Sequence, residues 1–244
     1  MKKTRLDSLL VESGVFSDEG EALRHIMAHE VKVGDEYATS AAQLVAPDAE
    51  ISVKGRKRYV SRGGYKLQAA LDAFGQDVAG LRCADVGCST GGFTDCLLQA
   101  GAVHVAAIDV GYGDLAWSLR QDPRVEVHER TNIRIASPTD VGAPFDVVVA
   151  DLSFIRLAGL AATFATLCRT GSVFIGLVKP QFESRRDETD ERGVVNDQSV
   201  RDRTVAEVSE ALEQAGFAVT GVIESPITGK QSHNIEYLIR AVLV

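Results

Sequence analysis

The sequence has no CxxC pair and no histidine at zinc-ligand spacing, although it carries four cysteines, Cys83, Cys88, Cys96 and Cys168. That pattern excludes the common structural zinc modules, and no metal is expected. Cys83 and Cys168 lie in apolar stretches, as small buried residues do, and Cys88 falls inside a glycine loop where space is short. No apolar run approaches the ~20 residues that cross a bilayer. The longest, Phe145–Ala150 and Val173–Val178, have the length of strands. The opening MKKTRLDSLLVESG starts basic but lacks an apolar core, because Asp7 and Glu12 interrupt it. A signal peptide is therefore not expected, nor a membrane partner, and the cytoplasm is the expected location. Internal repeats are absent. So is any overall excess of positive charge: the net charge of −8, taken alone, argues against a nucleic-acid partner.

The distribution of charge changes that argument. From Ile51 to Leu71 the basic residues are Lys54, Arg56, Lys57, Arg58, Arg62 and Lys66, with no acidic residue among them. Screening confines attraction to phosphate to about 10 Å, so a local basic stretch on an acidic protein can still hold RNA. The same stretch also reads as a solvated linker.

Two blocks follow from periodicity. In residues 1–58, apolar positions 6, 9 and 10 have helical spacing, and Ser17 is placed to cap a second helix lined by Ala22, Leu23, Ile26 and Met27. Val31–Val33 and Ile51–Val53 read as short strands. This is a small α+β domain with a marginal core. Residues 59–63 read as a linker, and 64–244 as an α/β domain. There a helix fits Tyr65–Phe74, and strands fit 82–87, 103–109, 125–129, 146–151, 172–178, 217–224 and 236–243. Helices fit 92–100, 114–120, 156–168 and 198–215 between them. Strands alternating with helices predict a mostly parallel sheet covered on both faces. The last strand follows without a helix, which predicts an antiparallel edge strand. Seven strands with the last reversed is the Rossmann-like arrangement of methyltransferases that use S-adenosylmethionine (SAM). The polar run ESRRDETDERGVVND from Glu183 to Asp197 reads as a mobile loop at the ligand edge of the sheet.

The most informative segment is DVGCSTGGFTD, Asp85 to Asp95, a glycine-rich turn between a strand and a helix. Gly87, Gly91 and Gly92 permit a tight turn and close approach to a ligand. Ser89 stands where a dinucleotide fingerprint has its second glycine, and the spacing is short for one. A SAM loop is the favoured reading, with a nucleotide loop or a plain turn as alternatives. Asp109, ending the next strand, is placed to accept from two ribose hydroxyls. Asp85, which opens the turn, is counted with the cofactor residues.

Transfer of a methyl group to a hydroxyl requires alignment and removal of a proton, by a base or with stabilisation of the oxyanion. Candidates should lie at the carboxyl ends of the strands. Asp151 ends DVVVAD, Lys179 ends the strand of LVKPQFE, Glu236 starts the last strand in NIEYLIR, and Lys66 lies in SRGGYKL at the head of a helix. Taken singly, each also reads as a solvated strand-end charge or a simple salt bridge.

The set Lys66, Asp151, Lys179 and Glu236 resembles the Lys-Asp-Lys-Glu tetrad of FtsJ-type RNA 2′-O-methyltransferases. YVSRGGYKL, DVGCSTGGFTD, ADLSFI and LVKPQFE resemble the TlyA branch, also called haemolysin A. The resemblance spans nearly the whole chain, and its first block is similar to the small RNA-binding domain named after ribosomal protein S four. It implies 2′-O-methylation of cytidine in ribosomal RNA, with SAM as cofactor and rRNA or a ribosomal subunit as partner. It further implies that Lys179 acts on the 2′-hydroxyl, Asp151 orients the lysines, and Lys66 and Glu236 position the ribose. Asp151 beside Lys179 favours the ammonium, so the role of Lys179 is either that of a base with its charge suppressed by a second lysine and burial or that of an electrostatic stabiliser. Gly87, Ser89, Gly91, Gly92 and Phe93 would line the cofactor, with Asn132 and Ile133 near the adenine, although Asn132 also reads as a turn residue. At Ser17-Asp18-Glu19-Gly20 the chain is acidic where that domain is usually basic. RNA contact would then rest on Lys2, Lys3, Arg5, Arg24, Lys32, Arg56, Lys57, Arg58 and Arg62. The alternatives are a SAM methyltransferase with a non-RNA substrate, a catalytically dead RNA-binding module, and a pore-forming haemolysin; the last lacks a membrane segment.

Overall fold

The computed structural model describes all residues except 1, 2, 14, 48, 50, 56, 57 and 230–232. The chain divides into two compact units, Met1–Arg58 and Tyr59–Val244. Arg56 and Lys57, and Lys2 with them, lie outside the described residues.

In the first unit, β1 (Thr4–Arg5), α1 (Leu6–Glu12) and α2 (Glu19–Met27) precede β2 (Val31–Val33), β3 (Glu36–Tyr37), β4 (Leu44–Val45) and β5 (Ile51–Val53). β2 pairs antiparallel with β3 and β5, and β1 with β4. Leu6, Leu10, Phe16, Ala22, Ile26, Val31, Ala38 and Val45 form its core. The cap of α2 is Asp18 rather than Ser17. Asp18 is the extended residue, and its carboxylate accepts the Glu21 N–H at 2.8 Å. The acidic residues expected to weaken phosphate contact thus do a folding task, holding free amides at a helix start.

The second unit begins with α3 (Gly63–Phe74), followed by β6 (Arg82–Val86), α4 (Gly92–Gln99), β7 (His104–Ile108), α5 (Trp117–Arg120) and β8 (Val125–His128). Next come β9 (Phe145–Ala150), α6 (Ala161–Thr166), β10 (Cys168–Val178), α7 (Pro180–Glu183), α8 (Gln198–Gln214), β11 (Phe217–Glu224) and β12 (Tyr237–Leu243). α5 and α6 are shorter than the spacing predicts, and a 3₁₀ turn at Ala158–Leu160 precedes α6. Residues 59–63 group with this unit and are no free linker: Tyr59 is 1% exposed in its core.

The seven strands run in the order β11-β12-β10-β9-β6-β7-β8. Only β12 is reversed, pairing antiparallel with both β10 and β11. It is therefore interior, and β11 forms the edge, contrary to the edge position expected for the last strand. Both faces of the sheet are dry. Cys83, Val105, Ala107, Val147, Val149, Ile175 and Leu177 face one apolar layer. Their chain neighbours Ala84, Ala106, Val148, Phe174 and Val178 face the other. Burial on both sides is why these strands read as continuous apolar runs instead of alternating ones. Cys168, expected buried, is only partly so.

Candidate active site

The parallel register brings the strand ends to one edge. Gly176 of β10 sits beside Ala150 of β9, and Val178 beside Tyr237 of β12. Asp151 and Lys179 therefore leave adjacent strands, and Glu236 enters the neighbouring one at the same edge. Lys179 Nζ lies 2.6 Å from Asp151 Oδ1 and donates to Ser153 Oγ at 3.0 Å. Lys66, on the first turns of α3, forms an ion pair with Glu236. Lys66, Lys179 and Glu236 are all buried. Two lysine–carboxylate pairs in so dry a setting are costly to desolvate, and each charge is tolerated because its partner is in contact.

The glycine turn connects β6 to α4. Gly87 has φ +84°, and a Cβ there would come within 2.7 Å of the Asp151 carbonyl oxygen. Gly91 has φ +93°, and its Cβ would meet Leu119 at 2.3 Å. Ser89 takes the left-handed region at φ +46° despite its side chain. Its backbone N–H donates to Asp109 Oδ2 at 2.8 Å, while Gly111 N–H donates to Oδ1 at 2.7 Å. Each Asp109 oxygen keeps acceptor capacity beyond its amide. Asp85 is fully buried; Thr94 donates to its Oδ2 from backbone and hydroxyl at 2.8 and 2.6 Å. Its Oδ1 makes no hydrogen bond among the described residues. Burial, opposed in part by Thr94, pushes the Asp85 carboxyl up to about 7. A carboxylate free to accept from a diol, a buried carboxylate oxygen without a donor, and a turn built on Gly87, Gly91 and Gly92 fit a cationic adenosyl cofactor. Phe93 and Ile133 are buried in the two apolar layers. Asn132 is exposed and accepts the Arg134 N–H at 3.1 Å, the bonding of a turn residue.

Three features near these groups escape sequence reasoning. Phe154 is 90% exposed at φ +64°, with its ring 5.1 Å from that of Phe182. Ser153 touches Lys179, and Glu183 is a buried carboxylate in α7. Only Phe154 had a readable signal, an aromatic following the strand-end acid. The segment from Glu183 to Asp197 is braced, not loose. Glu188 pairs with Arg185 and Arg203, and Asp197 caps α8 through Ser199 N–H. Asn234 binds Val195 N–H and the Gly193 carbonyl, each at 2.9 Å.

The basic residues differ in their surroundings. Lys3, Arg24 and Arg58 are exposed. Arg5 is tied to the buried Asp7, Lys32 lies over Tyr37 at 4.8 Å, and Arg62 donates to the Thr228 carbonyl at 2.8 Å. No described helix is long and apolar enough to cross a membrane. Among the described residues no group of His, Cys, Asp or Glu is arranged to hold a metal.

A mostly parallel seven-stranded sheet with its last strand reversed, and a glycine turn after its first strand, is the fold of the SAM-dependent methyltransferases. A candidate SAM-dependent methyltransferase from Listeria monocytogenes shares it at TM-score 0.56 and 20% identity, covering 75% of this chain and 100% of that one. The profile of FtsJ-like methyltransferases matches residues 59–242. The 16S/23S rRNA (cytidine-2′-O)-methyltransferase TlyA of Mycobacterium tuberculosis is 42% identical over 240 residues, 98% of this chain and 89% of the relative. A structure of a candidate hemolysin from Streptococcus thermophilus superposes at TM-score 0.74 with 38% identity, covering 100% of this chain and 90% of that one. The chain belongs to the FtsJ-like methyltransferase family, in its TlyA branch.

Proposed function

We propose that this chain transfers a methyl group from SAM to the ribose 2′-hydroxyl of cytidine in ribosomal RNA. The observation that carries this reading is the pair of lysine–carboxylate contacts, Lys179–Asp151 and Lys66–Glu236, at the sheet edge beside the glycine turn. SAM, when bound, supplies an electrophilic methyl on a sulfonium. Gly87, Ser89, Gly91, Gly92 and Phe93 with Asp85, Asp109, Asn132 and Ile133 would hold it. Asp109 would accept from its ribose hydroxyls.

On the acceptor side, the C–O bond forms as the methyl–sulfur bond breaks, and the hydroxyl proton passes to solvent water. Lys179, in contact with Asp151 and donating to Ser153, would stabilise the developing alkoxide. Asp151 fixes that lysine; Lys66 and Glu236 position the ribose. Phe154 offers an exposed ring, packed on Phe182, on which a base can stack. Residues 1–58 would form the RNA-binding domain, with Lys3, Arg24, Lys32 and Arg58 toward phosphate and Arg5 and Arg62 partly engaged within the protein. A ribosomal substrate would put this work in the cytoplasm.

The test is transfer from labelled SAM to unmodified ribosomal subunits, with the modified ribose mapped. Label on a cytidine 2′-oxygen is expected; label that reaches only non-RNA acceptors refutes the reading. Lys179→Ala should lower transfer about a thousandfold. Its SAM affinity, by calorimetry, should stay at the wild-type value.

A further inference from the structure

Glu183 ends α7, the short helix that starts just after Lys179, and its side chain is 1% exposed. Its Oε1 accepts the backbone N–H of Leu157. Its Oε2 lies 3.7 Å from Arg156, a half-exposed guanidinium that Glu207 also holds at 2.8 Å. Burial pushes this carboxyl up, against the backbone donors of Leu157 and Ala158. A dry carboxylate of this kind is expensive, and it is spent on the far end of the loop that follows β9, at Leu157.

That loop carries Asp151, Ser153 and Phe154 and has no helix or strand of its own before the Ala158 turn. It meets α7 and its leading lysine at five points: Asp151 on Lys179 at 2.6 Å, Ser153 on Lys179 at 3.0 Å, Phe154 on Phe182 at 5.1 Å, Arg156 on Glu183 at 3.7 Å, and Leu157 on Glu183. Ser153 and Phe154 are solvent-exposed, and Phe154 has a strained φ of +64°. Strain of that sort persists only where the surroundings hold it. Of these contacts, only that between Glu183 and Leu157 is both dry and made to backbone, and it holds the chain at a residue whose own side chain is in the core.

We propose that Glu183 is a positioning residue for the transfer: by holding the Leu157 amide on α7, it keeps Asp151, Ser153 and Phe154 in register with Lys179. This rests on the reading of Lys179 given above. A mere cap on the Ala158 turn would affect stability without separating turnover from cofactor binding.

The experiment compares wild type, Glu183→Ala, Glu183→Asp and Glu183→Gln as full chains. It measures single-turnover transfer to unmodified ribosomal subunits and SAM affinity by calorimetry. The Ala and Asp variants should lose about ten- to a hundredfold in rate, the scale of a displaced reacting group. Their SAM affinity should remain that of wild type. The Gln variant should recover most of the rate, because its amide oxygen still accepts from Leu157. The Asp variant keeps the charge but is one methylene short, and it answers the question if the Ala variant does not fold. A wild-type rate in Ala or Asp, a Gln variant as slow as Ala, or rate and SAM affinity falling together would each overturn the proposal. Activity in Lys179→Ala would instead overturn the reading of the tetrad, whatever Glu183 does.

Discussion

At the glycine turn, carboxylates are held by backbone amides; at the neighbouring strand ends they are held by lysines. Asp109 receives an N–H from Ser89, 20 residues away, and Asp85 receives one from Thr94, 9 residues away. Lys66 and Glu236 are 170 residues apart, and Lys179 reaches back 26 to Ser153. The first half of the site is a local product of one strand–turn–helix unit and the strand beside it. In the second, Lys179 meets Asp151 across the adjacent β9 and β10, and Lys66 meets Glu236 only once β12 has inserted between β10 and β11. Backbone donors suit a cofactor common to many enzymes, while side-chain charges can be tuned to one acceptor.

The sharpest way to break that contrast is to remove one charge from the long-range half. Glu236→Leu leaves Lys66 buried without its partner and should cost about 3–5 kcal/mol in denaturant unfolding. Lys66→Met combined with Glu236→Leu should recover most of that loss while transfer stays abolished. A double variant no more stable than the single one would show that the pair is not an energetic unit. Gly87→Ala comes next, with an expected cost of about 2–3 kcal/mol, because its Cβ meets the Asp151 backbone carbonyl as well as the Leu152 side chain. It should lower both SAM affinity and transfer rate, joining the two halves; unchanged SAM affinity would separate them.

Asp85 gives a pH test confined to the local half. Its carboxyl titrates near about 7 when folded, and near ~4 when unfolded. Between those values the folded chain retains a proton that the unfolded chain has released. The stability from this group is therefore complete below ~4 and is lost as pH rises through about 7. Asp85→Asn carries no such loss. Its melting temperature relative to wild type, without SAM, should rise by on the order of a few degrees between acid and mildly alkaline pH. A difference independent of pH would rule out a raised carboxyl. The smallest effect is expected from Arg24→Ala in the first unit. It should weaken rRNA binding only modestly and reduce its salt slope by about 1, with SAM affinity unchanged.

The strands of the larger unit were legible to within a residue or two at most ends, because burial on both faces leaves uninterrupted apolar runs. The 168–171 extension of β10 and the short α5 were not, since neither carries a periodic pattern. Ser17 and Asp18 are equally good caps by residue type, and only the Asp18 backbone angle separates them. Lys66, Asp151, Lys179 and Glu236 were visible as candidates by type and place. Asp151 was expected beside Lys179, but the Lys66–Glu236 pairing was not visible, because it depends on strand order. Glu183 looked like the start of a polar loop, since a carboxylate's burial leaves no mark on its neighbours in sequence.

By itself the sequence determined the alternation of strand and helix, the glycine turn and the chemical types at the strand ends. These depend on interactions within a few residues: backbone freedom at glycine, apolar periodicity and helix caps. Tertiary structure decided that β12 is interior, that Lys66 meets Glu236 and Lys179 meets Asp151, and that Glu183 is dry. Those outcomes depend on which distant segments share one edge of the sheet, and a contact between distant segments is set by the packing of the whole unit.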